Sequence, residues 1–273
     1  MQLNKSNLVL FRRAFFFSYF CSVQYTLKKS LGQHFLKDES ICQRIVAAVL
    51  DEHPQRLVEI GPGAGAITKY FLKEPSIDFK AVELDEEKIV YLEHTFPSIA
   101  GKLIHKSVLD ADLPFDDRFM VVGNFPYNIS SQILFKILDW KEQVDCVVGM
   151  FQKEVAQRVA SKPGNKAYGI LSVLVQAYFD VEYLFDVDEN AFNPPPKVKS
   201  GVIKLKPAAT TFAVASDKKF KLLVKTAFNQ RRKMLRNGVR GMFDAEYLKD
   251  EVFNKRAEQL SVEDFAALTF RMK

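Results

Sequence analysis

Leu57-Val58-Glu59-Ile60-Gly61-Pro62-Gly63-Ala64-Gly65 is a short apolar run that breaks into three alternating glycines, and residues 67–72 after it have helical texture. The pattern reads as strand, tight turn, helix. Glycine in such a turn lets the backbone approach a ligand closely, and the turn sits at the carboxyl end of a first strand, where open α/β sheets bind ligands. Glu83 stands 22 residues beyond Gly61, at the end of a second apolar run over 79–84. An acid there can accept hydrogen bonds from both hydroxyls of a ribose. The two features together point to an adenosine-containing cofactor, and they leave a nicotinamide dinucleotide and S-adenosylmethionine as rivals.

Outward from this centre, residues 102–105, 119–122 and 144–150 are three further strand-like runs, the last followed by a polar helical segment over 152–160. Strands alternating with helices imply a doubly wound, parallel sheet. From 170 to 187 the chain is nearly continuous in apolar and aromatic residues, Pro194 to Pro196 are rigid and extended, and 200–205 alternates as a strand does. These are expected to complete the sheet with antiparallel members. Helical patterns dominate from Lys218 onward, so the expected organisation is a large domain over 27–206 and a small helical one over 207–273. Residues 1–26, with Arg12 and Arg13 ahead of a short aromatic-rich apolar run, read as a leader outside the fold rather than an export signal. Residues 162–169 are a candidate lid over the site, or a plain connection.

The chain has 273 residues with a formal net charge of +6, 48% hydrophobic and 26% charged. That composition is too polar for a protein of many membrane spans and suits a polyanionic partner. Three scattered cysteines and four histidines give neither a disulfide framework nor a zinc site. No metal and no membrane are expected, and a reducing cytoplasm fits.

Asn124-Phe125-Pro126-Tyr127 follows the fourth strand directly, at the same edge of the sheet, and decides between the cofactors. The exocyclic amine of adenine is a poor nucleophile because its lone pair is delocalised into the ring. The side-chain oxygen of Asn124 and the backbone carbonyl of Phe125 can each accept one amine hydrogen, which makes the nitrogen more tetrahedral and aims its lone pair at a methyl donor. Pro126 stiffens the backbone between them, and Tyr127 offers a ring for the base, a stack worth ~1 to 3 kcal/mol. Methyl transfer of this kind depends on orientation more than on a strong base.

With these residues in place, the chain resembles the small-subunit ribosomal RNA adenine N6,N6-dimethyltransferases from about Lys28 to its end. The resemblance rests on Lys29-Ser30-Leu31-Gly32-Gln33-His34-Phe35-Leu36, the turn from Glu59 to Thr68, Glu83-Leu84-Asp85, Asn124 through Ser130, Phe192-Asn193-Pro194-Pro195-Pro196-Lys197-Val198, and Phe228-Asn229-Gln230-Arg231-Arg232-Lys233. It implies a Rossmann-like class I methyltransferase sheet with a small C-terminal helical domain. The implied activity is S-adenosylmethionine-dependent dimethylation of two adjacent adenines in the 3′-terminal hairpin of 16S RNA. It further implies that His34 and Leu36 line the cofactor, that Gly61, Gly63 and Glu83 hold its methionine portion and ribose, and that Phe192 forms a second wall opposite Tyr127. Where the family carries an acid toward the cofactor adenine this chain has Ser107, with Asp110 as a substitute candidate.

Arg231, Arg232, Lys233 and Arg236, with the lysines from Lys218 to Lys225, form a basic stretch expected to track phosphates of the small subunit. Arg231 and Arg232 are equally candidates for pinning the two domains together. Two other readings stay open: an assembly checkpoint with methylation secondary, and a large-subunit adenine methyltransferase of the antibiotic-resistance type. A monomer is expected.

Overall fold

A computed structural model describes residues 34–273. The expected leader, the start of the large domain and residues 29–33 of the first motif lie outside the described residues.

The strands are β1 (Phe35–Leu36), β2 (Arg56–Ile60), β3 (Asp78–Glu83), β4 (Leu103–His105), β5 (Phe119–Asn124), β6 (Val144–Gln152), β7 (Phe179–Val187), β8 (Phe192–Asn193) and β9 (Ser200–Pro207). Seven of them form one sheet in the order β4-β3-β2-β5-β6-β9-β7, while β1 and β8 make a small antiparallel pair. The first five run parallel, β9 lies antiparallel to β6, and β7 antiparallel to β9. The α/β class and the antiparallel completion expected from the sequence are both present. Leu57, Val58, Val121, Val122, Val147 and Val148 are fully buried, as strands covered by helices on both faces require.

From β2 the chain steps outward through β3 and β4, then returns to β5 on the other side of β2 and continues to β6. The order therefore reverses between β2 and β5, and the crevice at their carboxyl ends is the place where such sheets accept ligands.

The apolar run over 170–187 divides. Residues Ile170–Gln176 form a helix, α6 after α1 (Glu39–Leu50), α2 (Thr68–Phe71), α3 (Glu86–Thr95), α4 (Ser130–Asp139) and α5 (Lys153–Ala160); β7 follows it. Leu171 and Val175 pack into the sheet core while Val173, Leu174 and Ala177 pack into the C-terminal core. A helix buried on all sides loses its polar stripe and with it the period that would identify it.

Beyond β9 come α7 (Asp217–Asn229), α8 (Leu235–Val239) and α9 (Val262–Thr269), with the stretch over 240–259 built from short 3-10 turns. This unit is bolted to the sheet. Lys141 pairs with Asp217 at 2.8 Å, and the Tyr178 hydroxyl donates to the same carboxylate at 2.8 Å. The amide of Gly164 donates to the Glu258 carbonyl at 2.7 Å, and Tyr168 is buried in the C-terminal core. The segment over 162–169 is thus a tie between the units and not the lid it was a candidate for, since it does not line the cavity at the switch point.

What positions the crevice wall is the ring of Phe125. Gly123 and Gly149 face each other in register on β5 and β6, and the ring fills the space they leave, edge-on to Phe151 at 5.0 Å. A Cβ on Gly149 would lie 2.4 Å from Phe125 Cε2. Gly149→Ala is therefore expected to cost about 1–3 kcal/mol through overpacking, read as a lower urea midpoint; an unchanged midpoint would show that the ring is not wedged there.

Candidate active site

The glycine turn leaves β2 through Gly61 at φ 70°, Gly63 at φ 57° and Gly65 at φ 81°, a conformation that strains any side chain. Gly63 also leaves room for Phe35, whose Cε1 would sit 3.1 Å from a Cβ there. The N-terminal strand can therefore lie directly over the turn.

Glu83 ends β3 beside it. Its Oε1 accepts the amides of Leu84 and Asp85 at 2.8 and 2.9 Å, and Oε2 takes only a long contact of 3.4 Å from the Gly63 amide. One oxygen is thus anchored and the other is left with capacity for a ligand hydroxyl. Burial raises the Glu83 pKa, and the backbone amides pull it back.

Glu59, an acid inside the buried part of β2, lies behind the turn. It is 2% exposed and accepts the Thr68 hydroxyl at 2.7 Å. Burial, reinforced by the charge of Glu83, pushes its carboxyl up to about 8. Its signal in the sequence is a single acid near the end of an apolar run, just before the glycine turn.

Together these groups line a cavity of about 330 Å³, within the range of small-molecule sites. His34, Leu36, Gly61, Gly63, Glu83, Ser107, Asn124, Phe125 and Tyr127 all reach it. Of the two candidates after β4, Ser107 lines the cavity and Asp110 does not; the Ser107 hydroxyl accepts the Leu109 amide at 3.3 Å. Leu84, 53% exposed, Val82 and Val108 give one side of the cavity an apolar surface. A flat heteroaromatic group with a ribose beside Glu83 matches this donor set and shape.

At the end of β5, Asn124 Nδ2 donates to the His34 carbonyl at 3.1 Å, which turns Oδ1 the other way. The Phe125 amide donates to the Met150 carbonyl at 3.1 Å, fixing the Asn124–Phe125 peptide at the end of the strand; the carbonyl of Phe125 itself lies in the following peptide, to Pro126. The Tyr127 hydroxyl bonds to Ser200 Oγ, and burial raises its pKa. His34 stacks on the Tyr127 ring at 5.7 Å and donates through Nδ1 to the Pro194 carbonyl at 2.9 Å.

Phe192 departs from its expected place. It is 0% exposed, paired with Leu36 across β1 and β8, and packed in the core beneath the sheet. It does not line the cavity, because a large apolar side chain at the β8–β1 pair gains more from that core than from the crevice.

Of the basic residues, Arg231 pairs with Glu258 at 2.7 Å and donates to the Lys166 carbonyl, so it pins the C-terminal unit to the sheet unit. Arg232 and Lys233 are exposed and Arg236 is half-buried. Trp140, Cys42 and Cys146 are buried, and His53 and His94 are exposed. Among the described residues no cluster of His, Cys, Asp or Glu could hold a metal ion, and no helix is long and apolar enough to cross a membrane.

A model of the ribosomal RNA adenine dimethylase family matches residues 24–272. The chain is 52% identical to the ribosomal RNA small subunit methyltransferase A of Cytophaga hutchinsonii, over 89% of this chain and 95% of that one. It is 46% identical to the protein of that name from Porphyromonas gingivalis, over 90% and 97%. Among solved structures, a dimethyladenosine transferase from Plasmodium falciparum superposes with a TM-score of 0.71 at 25% identity, over 85% of this chain and 94% of that one. The 23S rRNA methyltransferase ErmE shares the fold, with a TM-score of 0.64 at 19% identity over 85% and 99%.

The Glu59 carboxyl sets a pH dependence. Its folded pKa of about 8 lies above the ordinary 4.5, so the folded protein holds a proton that the unfolded chain releases. That contribution to stability is complete below about pH 4.5 and is lost as the pH rises toward 8. Glu59→Gln cannot ionise and still accepts from Thr68. Its melting temperature relative to wild type is expected to climb between pH 6 and pH 9, and parallel curves would contradict the assignment.

Proposed function

Because the chain belongs to the ribosomal RNA adenine dimethylase family, we propose that it dimethylates the N6 amines of two adjacent adenines in the 3′-terminal hairpin of small-subunit (16S) ribosomal RNA. The observation that carries this reading is that Asn124, with its Nδ2 engaged by the His34 carbonyl, and Phe125 both line the cavity that Glu83 borders; Asn124 Oδ1 and the Phe125 carbonyl are the two acceptors the reaction needs. The identity to relatives named for the small subunit favours that RNA over the large-subunit one.

S-adenosylmethionine, when bound, supplies an electrophilic methyl on a sulfonium. Glu83 would hold its ribose through Oε2, Gly61 and Gly63 would let its methionine portion lie against the backbone, and His34 and Leu36 would close over it. Ser107 would meet its adenine with a neutral hydroxyl, a weaker partner than a carboxylate. The target adenine would stack on Tyr127, which suits a base drawn out of a hairpin. Asn124 Oδ1 and the Phe125 carbonyl would take the two amine hydrogens, localising the lone pair on nitrogen. After transfer the positively charged nitrogen sheds a proton toward these oxygens and solvent, so no dedicated strong base is required. Phe192 could join the base only if β1 and β8 separated, and the reaction as drawn does not need it.

We assign the exposed Arg232 and Lys233 to phosphate contacts and Arg231 to holding the C-terminal unit. Action on an assembling subunit would place the protein, as a monomer, in the cytoplasm.

Two outcomes test the reading. Asn124→Ala should lower transfer of labelled methyl to unmethylated small subunits by about 10²-fold or more; near-normal transfer would contradict it. Replacing Arg232 and Lys233 together by Ala should reduce the slope of log affinity against log salt by about 2, and an unchanged slope would remove them from the RNA surface.

A further inference from the structure

Ser200 has no part in the motifs above, yet it is a hydroxyl with 0% exposure at the head of β9. There it pairs with Gln152 on one side and Val187 on the other. Its neighbours in the sheet, Val187 and Val202, are apolar core residues. A buried hydroxyl is unfavourable unless it is bonded, and the bond it makes is to the Tyr127 hydroxyl, 73 residues away in sequence. Either hydroxyl can donate to the other, and the bond joins them in both cases.

The consequence lies in the ring. Tyr127 sits in the turn after β5, where no strand pairing holds it, and its side chain could otherwise swing among rotamers. Two contacts fix it: the hydroxyl is tied to β9, and one face is stacked by His34, itself held by the Pro194 carbonyl and by Asn124 Nδ2. The tie to β9 is the stiffer of the two, since Ser200 is hydrogen-bonded into the sheet on both sides while His34 belongs to an N-terminal segment laid over the cavity.

We propose that Ser200 is a positioning residue for methyl transfer, holding the Tyr127 ring in the plane on which the target adenine stacks. This rests on the reading of Tyr127 as the base platform. A base stacked on a tilted ring presents its amine to Asn124 and Phe125 out of line, and small misplacements of that kind are felt in the rate of the chemical step rather than in cofactor affinity. Loss of the bond should therefore separate kcat from the KM for S-adenosylmethionine.

The test uses the full chain with unmethylated small subunits, comparing Ser200→Ala, Tyr127→Phe, the double variant and Tyr127→Ala. Ser200→Ala and Tyr127→Phe should each lower kcat roughly three- to tenfold, the span of one neutral hydrogen bond. The KM for S-adenosylmethionine should be unchanged, and the double variant should lose no more than either single one. An RNA hairpin carrying 2-aminopurine at the target position should show weaker quenching with Ser200→Ala than with wild type at saturating protein, because the base stacks less closely.

Full kcat in Ser200→Ala while Tyr127→Ala is inactive would overturn the proposal and leave the platform standing, and so would losses that multiply in the double variant. Full activity in Tyr127→Ala would overturn the platform and the proposal together. If Ser200→Ala does not fold, Tyr127→Phe deletes the same bond from the other end, and a wild-type kcat there would overturn the proposal.

Discussion

The amide of Phe125 is bonded to the Met150 carbonyl, and its ring is wedged over Gly123 and Gly149 against Phe151. That anchorage converts a sheet edge into a surface with a fixed peptide orientation. A turn leaving a parallel strand has no ladder partners of its own, and its carbonyls would otherwise point wherever the loop relaxed. Here the buried ring and the bonded amide hold the backbone of Phe125 at the cavity wall. Pro126, packed within 3.7 Å of where a Cβ on Gly61 would lie, joins this turn to the glycine turn of β2, so the two halves of the cavity are built against each other.

The rest of the cavity is assembled around that edge from segments far apart in the chain. β1 crosses over the glycine turn through Phe35 and pairs with β8, which brings His34 and Pro194 together. β8 leads into β9, whose first residue reaches Tyr127. A ligand entering between these pieces meets backbone amides, the Glu83 carboxyl and a ring, with Glu59, its carboxyl pushed up to about 8, buried behind Glu83. Keeping the rear carboxyl protonated at neutral pH avoids two adjacent buried negative charges, which would be costly in so dry a place.

The parts of this arrangement legible in the sequence are those fixed by local chemistry. The glycine turn, Glu83 and Asn124 through Tyr127 each carry a signal within a few residues of a strand, and all of them reach the cavity. The parts that were not legible depend on distant contacts. The run over 170–187 is helix then strand because α6 is buried between two cores, which erases its polar face. Phe192 goes into the core because β1 pairs with β8, a contact between residues more than 150 apart. The segment over 162–169 is held through backbone groups of Gly164 and Lys166, and such bonds leave no mark on residue type. Ser200 reads as one more residue of an alternating strand until Tyr127 is placed beside it.

If the paired acceptors at the end of β5 act on an exocyclic adenine amine of small-subunit RNA, the product is visible in nucleoside mass spectrometry of RNA from unmethylated ribosomes incubated with the protein and S-adenosylmethionine. N6,N6-dimethyladenosine is expected at two adjacent positions of the 3′-terminal hairpin of the small-subunit RNA. Methyl groups found instead on ribose, on another base, or on the large-subunit RNA alone would contradict that role.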